Sequence, residues 1–122
     1  MAKILLVEDN PTNLQLMDYL LKAFGHLTVS AGDGADGVLQ AVRESPDIIL
    51  MDLQLPVLNG YDAARQIKAR PALRHIPIIA VTAFAMVGDR ERILAEGFDG
   101  YIPKPIAPET FVAHVERFIR TT

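Results

Sequence analysis

The chain contains no cysteine, which removes disulfides, thiol nucleophiles and thiolate metal sites, and is compatible with a reducing compartment. It has no apolar stretch approaching the ~20 residues that a membrane-spanning helix needs. Met1-Ala2-Lys3 leads straight into an apolar run with no signal-peptide pattern. These absences predict a soluble, cytoplasmic protein with no membrane insertion. A basic stripe is also missing: the net charge is −3, with acids and bases interspersed. Direct nucleic-acid binding is therefore disfavoured and protein partners are favoured. No P-loop, serine nucleophile elbow, internal repeat or low-complexity tract is found. His26, His75 and His114 are too scattered for a local ligand motif and read as surface or boundary residues.

What the chain does have is a rhythm. Of its 122 residues 50% are apolar, enough for one core without staples, so a single domain over 1–122 is expected. Apolar runs of strand length alternate five times with segments of helical period, the pattern of βαβ units around a parallel sheet. Asn10 can N-cap a helix opened by Pro11, with Leu14, Met17, Leu21 and Phe24 as its inner face and Gly25 as its end. Leu27 to Ala31 reads as a strand, and Asp33 to about Arg43 as a helix with Val38, Leu39 and Val42 on one side. Next come a strand ending at Asp52, a loop with Pro56, a helix from Asn59 to about Ala69 and a strand from Ile78 to Thr82. A helix around Gly88 to Glu96 has poor periodicity, which points to mobility. After the short strand Tyr101-Ile102, Pro108 is expected to open a last helix that buries Phe111, Val112, Val115, Phe118 and Ile119 as one stripe.

The chemistry lies at the strand ends. Glu8 and Asp9 follow the first apolar run, Asp52 closes Asp47-Ile48-Ile49-Leu50-Met51-Asp52, Thr82 ends another run and Lys104 follows the last. In an open parallel sheet ligands bind beyond the carboxyl ends of the strands, so these residues would converge on one acidic pocket with a fixed cation opposite. Carboxylates there form a hard oxygen site suited to Mg²⁺ or Mn²⁺. Glu8, Asp9 and Asp52, with a backbone carbonyl near Gln54, are the candidate ligands, leaving room for a phosphoryl oxygen. Asp52 can also act as a nucleophile that forms an acyl phosphate. The metal, the Thr82 hydroxyl and the Lys104 ammonium would then each take one equatorial oxygen. The small Ala83 would keep the pocket open to a donor.

Each of these residues has an ordinary explanation by itself. Asp or Thr after a strand commonly caps the next helix, an acidic pair is welcome at a helix N-terminus, and a lone lysine is usually a surface residue. The combination is what carries weight, since unrelated loops would have to place complementary groups at one sheet edge by chance. Gly32-Asp33-Gly34-Ala35-Asp36-Gly37 matches the dinucleotide spacing G-x-G-x-x-G. It follows the second strand, however, and puts aspartates where a pyrophosphate should sit. It is read as a decoy.

The set Glu8-Asp9, Asp52, Thr82 and Lys104-Pro105, spaced through a five-fold β/α chain, resembles the receiver domain of two-component response regulators, the CheY-like superfamily. The resemblance covers nearly all of Lys3 to Arg120. It implies an α/β, flavodoxin-like (βα)5 three-layer sandwich with a five-stranded parallel sheet of order 2-1-3-4-5. It further implies Asp52 as phospho-acceptor, Asp9 and Glu8 as metal carboxylates, Thr82 as switch hydroxyl and Lys104 as the phosphate-contacting lysine. Tyr101 matches the aromatic that swings inward, and Lys104-Pro105 the family's cis peptide. Met51 to Pro56 with Asn59-Gly60 is similar to the acceptor loop, with Leu55 and Asn59 replacing the commoner Met and Asp. Ala80 to Met86 with Gly88-Asp89 looks like DivK-type single-domain receivers and the receivers of hybrid histidine kinases alike. Gln54 and Phe84 match positions that modulate dephosphorylation rate.

The implied function is a phosphorylation-dependent signalling switch rather than an enzyme. A histidine kinase or histidine phosphotransfer protein would be the donor and a downstream protein the reader. The rival is a small Mg²⁺-dependent phosphatase that uses the same aspartyl phosphate as an intermediate. Such phosphatases place a second aspartate two residues after the nucleophile as general acid, where this chain has Gln54, and no cap domain is present to enclose a substrate.

Overall fold

Strands covered by helices on both faces read as unbroken apolar runs, and Ile48–Asp52 and Ile78–Thr82 are buried at every position. The computed structural model describes residues 1–83 and 87–120. Its elements alternate as expected: β1 (Lys3–Val7), α1 (Pro11–Ala23), β2 (Leu27–Ala31), α2 (Gly34–Glu44), β3 (Ile48–Asp52), α3 (Gly60–Lys68), β4 (Ile78–Thr82), α4 (Val87–Ala95), β5 (Gly100–Pro103) and α5 (Phe111–Arg120). All five strands are parallel in the order β2-β1-β3-β4-β5. Among the described residues no helix is long and apolar enough to cross a membrane.

Strand periodicity divides the core into layers. Leu5, Val7, Ile49, Met51, Ile78 and Ala80 face α2, α3 and α4 through Val38, Ala41, Ala63, Ala64, Ile67 and Ile93. Their neighbours Ile4, Leu6, Ile48, Leu50, Ile79 and Val81 face α1 and α5 through Met17, Leu21, Phe111, Val112 and Val115. Caps set the helix starts. Asn10, Asp33 and Asn59 each accept a backbone N–H three residues on, from Asn13, Asp36 and Asp62. At the end of α1, Gly25 takes the left-handed φ of +85° that favours glycine.

Four expectations are corrected. Phe24 is 63% exposed instead of closing the inner face of α1, because it is the C-cap with ψ 15° and so leaves the helical path. In α2, Val38 is buried but Leu39 and Val42 are exposed. The face that packs is Gly34, Gly37, Val38 and Ala41, because its small residues allow close approach. A Cβ on Gly34 would lie 1.7 Å from the Leu58 carbonyl oxygen, and one on Gly37 2.9 Å from a Val7 methyl. Two of the three decoy glycines, Gly34 and Gly37, are thus packing residues, whereas a Cβ on Gly32 would meet open space. Pro108 does not open α5: Pro108 to Thr110 form a turn whose Thr110 N–H, like that of Phe111, bonds the Ala107 carbonyl, and the helix starts at Phe111. His26 is buried, held by the Ala2 N–H on Nδ1 at 3.1 Å and by Glu116 at 2.8 Å from Nε2.

Candidate functional site

The register of the parallel strands aligns their carboxyl ends. Val7 lies opposite Met51, Asp52 opposite Val81 and Thr82 opposite Pro103. Residues one step beyond these pairs therefore surround a single cleft, at the β1/β3 switch point where the strand order reverses. The cleft encloses about 380 Å³ and is lined by Glu8, Asp9, Asn10, Asn13, Asp52, Gln54, Thr82, Ala83 and Lys104 among others. Glu8, Asp9, Asp52, Gln54, Thr82, Ala83 and Lys104 are all residues that the sequence singles out. Asn13 is an addition. It occupies the first turn of α1, where helical spacing returns a side chain to the same end as the Asn10 cap.

Local structure aims each group. The Gln54 N–H donates to Asp52 Oδ1 at 3.1 Å, folding the chain sharply after β3. Gly60 permits that fold, since a Cβ there would stand 2.3 Å from the Asp52 carbonyl oxygen. Opposite, Lys104 Nζ lies 3.2 Å from Asp52 Oδ2 and 2.8 Å from Glu8 Oε1. It is anchored by its backbone N–H to the Thr82 carbonyl at 2.9 Å, and the Lys104–Pro105 bond is cis. The Lys104 contact with Glu8 is an ion pair without hydrogen-bond alignment, because Glu8 Oε1 is buried with no hydrogen-bond partner.

Electrostatics follow from this crowding. Burial is the largest influence on Glu8 and holds its carboxyl above the ordinary range; the Lys104 ammonium pulls it down and the Asp52 charge pushes it up again. Burial disfavours the Lys104 charge, but Glu8 and Asp52 outweigh it and raise this amine above its usual value. One carboxylate oxygen from each of Glu8, Asp9 and Asp52 lies within 4.8 Å of the others. Hard oxygen donors, a buried Glu8 oxygen without a hydrogen-bond partner and excess negative charge fit a Mg²⁺-type cation.

Thr82 is buried at the end of β4. Tyr101 is half-buried on β5, with the Arg90 guanidinium 5.3 Å above its ring. The Phe84 position falls outside the described residues. Leu55 is buried in the core and Asn59 caps α3, so these replacements in the acceptor loop act in packing and capping.

Comparisons with known proteins agree with this fold. The family model for the response regulator receiver domain matches residues 4–116. The polar-differentiation response regulator DivK of Brucella anthropi is 41% identical over 116 residues, covering 95% of this chain and 94% of that protein. Among solved structures, the receiver domain of a sensor histidine kinase from Pseudomonas aeruginosa is 42% identical with a TM-score of 0.89, covering 98% of each chain. That structure has a magnesium ion coordinated in its active site cleft. The chemotaxis response regulator CheY4 of Vibrio cholerae is 26% identical with a TM-score of 0.91, covering 96% of this chain and 98% of that one.

Proposed function

Because the chain belongs to the response regulator receiver domains of two-component signalling, we propose that it accepts a phosphoryl group on Asp52 from a phosphohistidine and passes the signal to a protein partner. The observation that carries this reading is the placement of the Asp52 carboxylate, 3.2 Å from Lys104 in an open cleft edged by Ala83. A carboxylate oxygen of Asp52 attacks phosphorus, a P–O bond forms and the P–N bond to the donor imidazole breaks. The product is an aspartyl phosphate and a free histidine.

This chain's own groups divide the work. The Lys104 ammonium, already between Glu8 and Asp52, follows the charge that moves onto the phosphoryl oxygens. The Thr82 hydroxyl takes another oxygen. Glu8, Asp9, Asp52 and the Gln54 carbonyl would hold Mg²⁺ or Mn²⁺, which when bound supplies charge neutralisation at the remaining oxygen. Without it, the acidic cluster repels an incoming phosphoryl group. The donor is a histidine kinase or histidine phosphotransfer protein, and the output is recognition of the α4, β5 and α5 face by a downstream protein.

Incubation with a small-molecule phosphodonor and Mg²⁺ should label the protein to about one phosphoryl per chain, set by one acceptor carboxylate. Asp52→Asn should abolish that label. Persistent stoichiometric labelling of Asp52→Asn overturns the assignment, and continuous release of inorganic phosphate over many turnovers would make the protein a phosphatase.

A further inference from the structure

We propose that the groove between α2 and α3 docks an amphipathic helix of another protein, one that lays apolar side chains into the groove and offers a carboxylate to Arg70. The groove encloses about 460 Å³ and is lined chiefly by Leu39, Val42, Val57, Leu58, Gln66 and Arg70. Leu39 is 52% exposed, Val42 42% and Val57 82%. Apolar side chains gathered in one concavity mark a binding surface more than scattered ones do. The groove lies on the opposite face of the sheet from α1 and α5 and is separate from the acidic cleft.

Strain and charge add to the apolar character. Val57 adopts φ 69°, a left-handed conformation costly for a β-branched residue, and this conformation holds its side chain out at the groove edge. The surroundings keep it there: the Leu58 N–H bonds the Pro56 carbonyl at 2.7 Å, and the Leu58 carbonyl sits against Gly34. Arg70 stands just past the end of α3. Its guanidinium forms no ion pair or hydrogen bond among the described residues, whereas Arg65 is paired with Asp62 and Glu96. An unpaired guanidinium beside an apolar trough calls for a carboxylate on the occupant.

Shape selects the occupant. A trough between packed helices receives the ridge of a third helix. A second copy of this chain fits poorly. Two concave grooves do not complement each other, and inserting the exposed Tyr19 or Phe24 of another copy would be a heterologous contact, which builds rings or filaments rather than a symmetric pair.

The test uses a fluorescent synthetic Leu/Ala helix with glutamates at one end, and the same helix with lysines there, titrated into the full chain. Amide shifts should map to Leu39, Val42, Val57 and Arg70, with the glutamate helix binding about tenfold more tightly than the lysine helix. Arg70→Glu should reverse that preference. Leu39→Glu, at an exposed position that leaves the fold intact by circular dichroism, should abolish binding of both. Equal affinity for the two helices, no binding, or shifts on another face would overturn the proposal. A concentration-dependent dimer in sedimentation, lost in Leu39→Glu, would replace the partner with a second copy.

Discussion

Glu8 is only 2% exposed and faces Asp52 across Lys104, so its ionised form is costly in the metal-free protein. Its folded pKa lies above the ordinary 4.5. The corresponding stability is therefore fully present below pH 4.5 and lost as pH rises through the folded value. Glu8→Gln removes this dependence. In EDTA the variant should be more stable than the parent at pH 7, and the gap should close as pH falls toward 4.5, measured by urea unfolding at each pH. A gap that widens on acidification would show that Lys104 outweighs burial. With excess Mg²⁺ the order at pH 7 should reverse, since the variant has lost a ligand.

Among the elements, α4 has weak apolar spacing and a well-defined set of polar tethers. Glu96 next to its end pairs with Arg65, Arg92 lies 4.3 Å over the Tyr61 ring, and Arg90 covers Tyr101. Exposed ion pairs and cation–π contacts are weak and screened by solvent, so they can be exchanged without unfolding the helix. A phosphoryl mimic with Mg²⁺ should shift the amides of α4 and Tyr101 while α2 stays nearly still, in a two-dimensional amide spectrum. Shifts restricted to the Asp52 loop would leave Asp52 as a relay point without a switch. At the other end of the sheet, Glu116 on α5 holds the buried His26. Because Ala2 already donates to Nδ1, the proton on this ring points from Nε2 to Glu116. Glu116→Ala should cost about 1–3 kcal/mol by leaving that donor unsatisfied, seen as a lower urea midpoint with an unchanged m-value.

For the molecule as a whole, cation binding and folding are linked, because the acidic cleft exists only when separate strand ends are assembled. At Mg²⁺ a hundred times above its Kd the fold should gain ~2.7 kcal/mol by mass action. Asp9→Asn should shrink that gain at the same concentration and raise stability in EDTA, by relieving repulsion within the cluster. Thermal melts with and without Mg²⁺ check both, and an unchanged Mg²⁺ gain in Asp9→Asn would remove Asp9 from the ligand set.

Much of this protein was legible in the chain because two periodicities carry it. Continuous apolar runs such as Ile78 to Val81 mark strands buried on both faces, and caps such as Asn10-Pro11 and Asn59-Gly60 mark where helices begin. Once the strands are parallel, residues following them must share one edge, and so Glu8, Asp9, Asp52, Thr82 and Lys104 could be grouped before any distance was known. Tertiary structure decided what depends on neighbours distant in sequence. Leu39 and Val42 look like core until Gly34 and Gly37 bring another face of α2 onto Leu58 and Val7. His26 looks like a surface or boundary residue until α5 brings Glu116 to it. The Lys104 contact with both Glu8 and Asp52 has the same origin. Periodicity reports that a helix has an apolar side, but close packing, which varies with every side-chain volume, decides which residues that side contains.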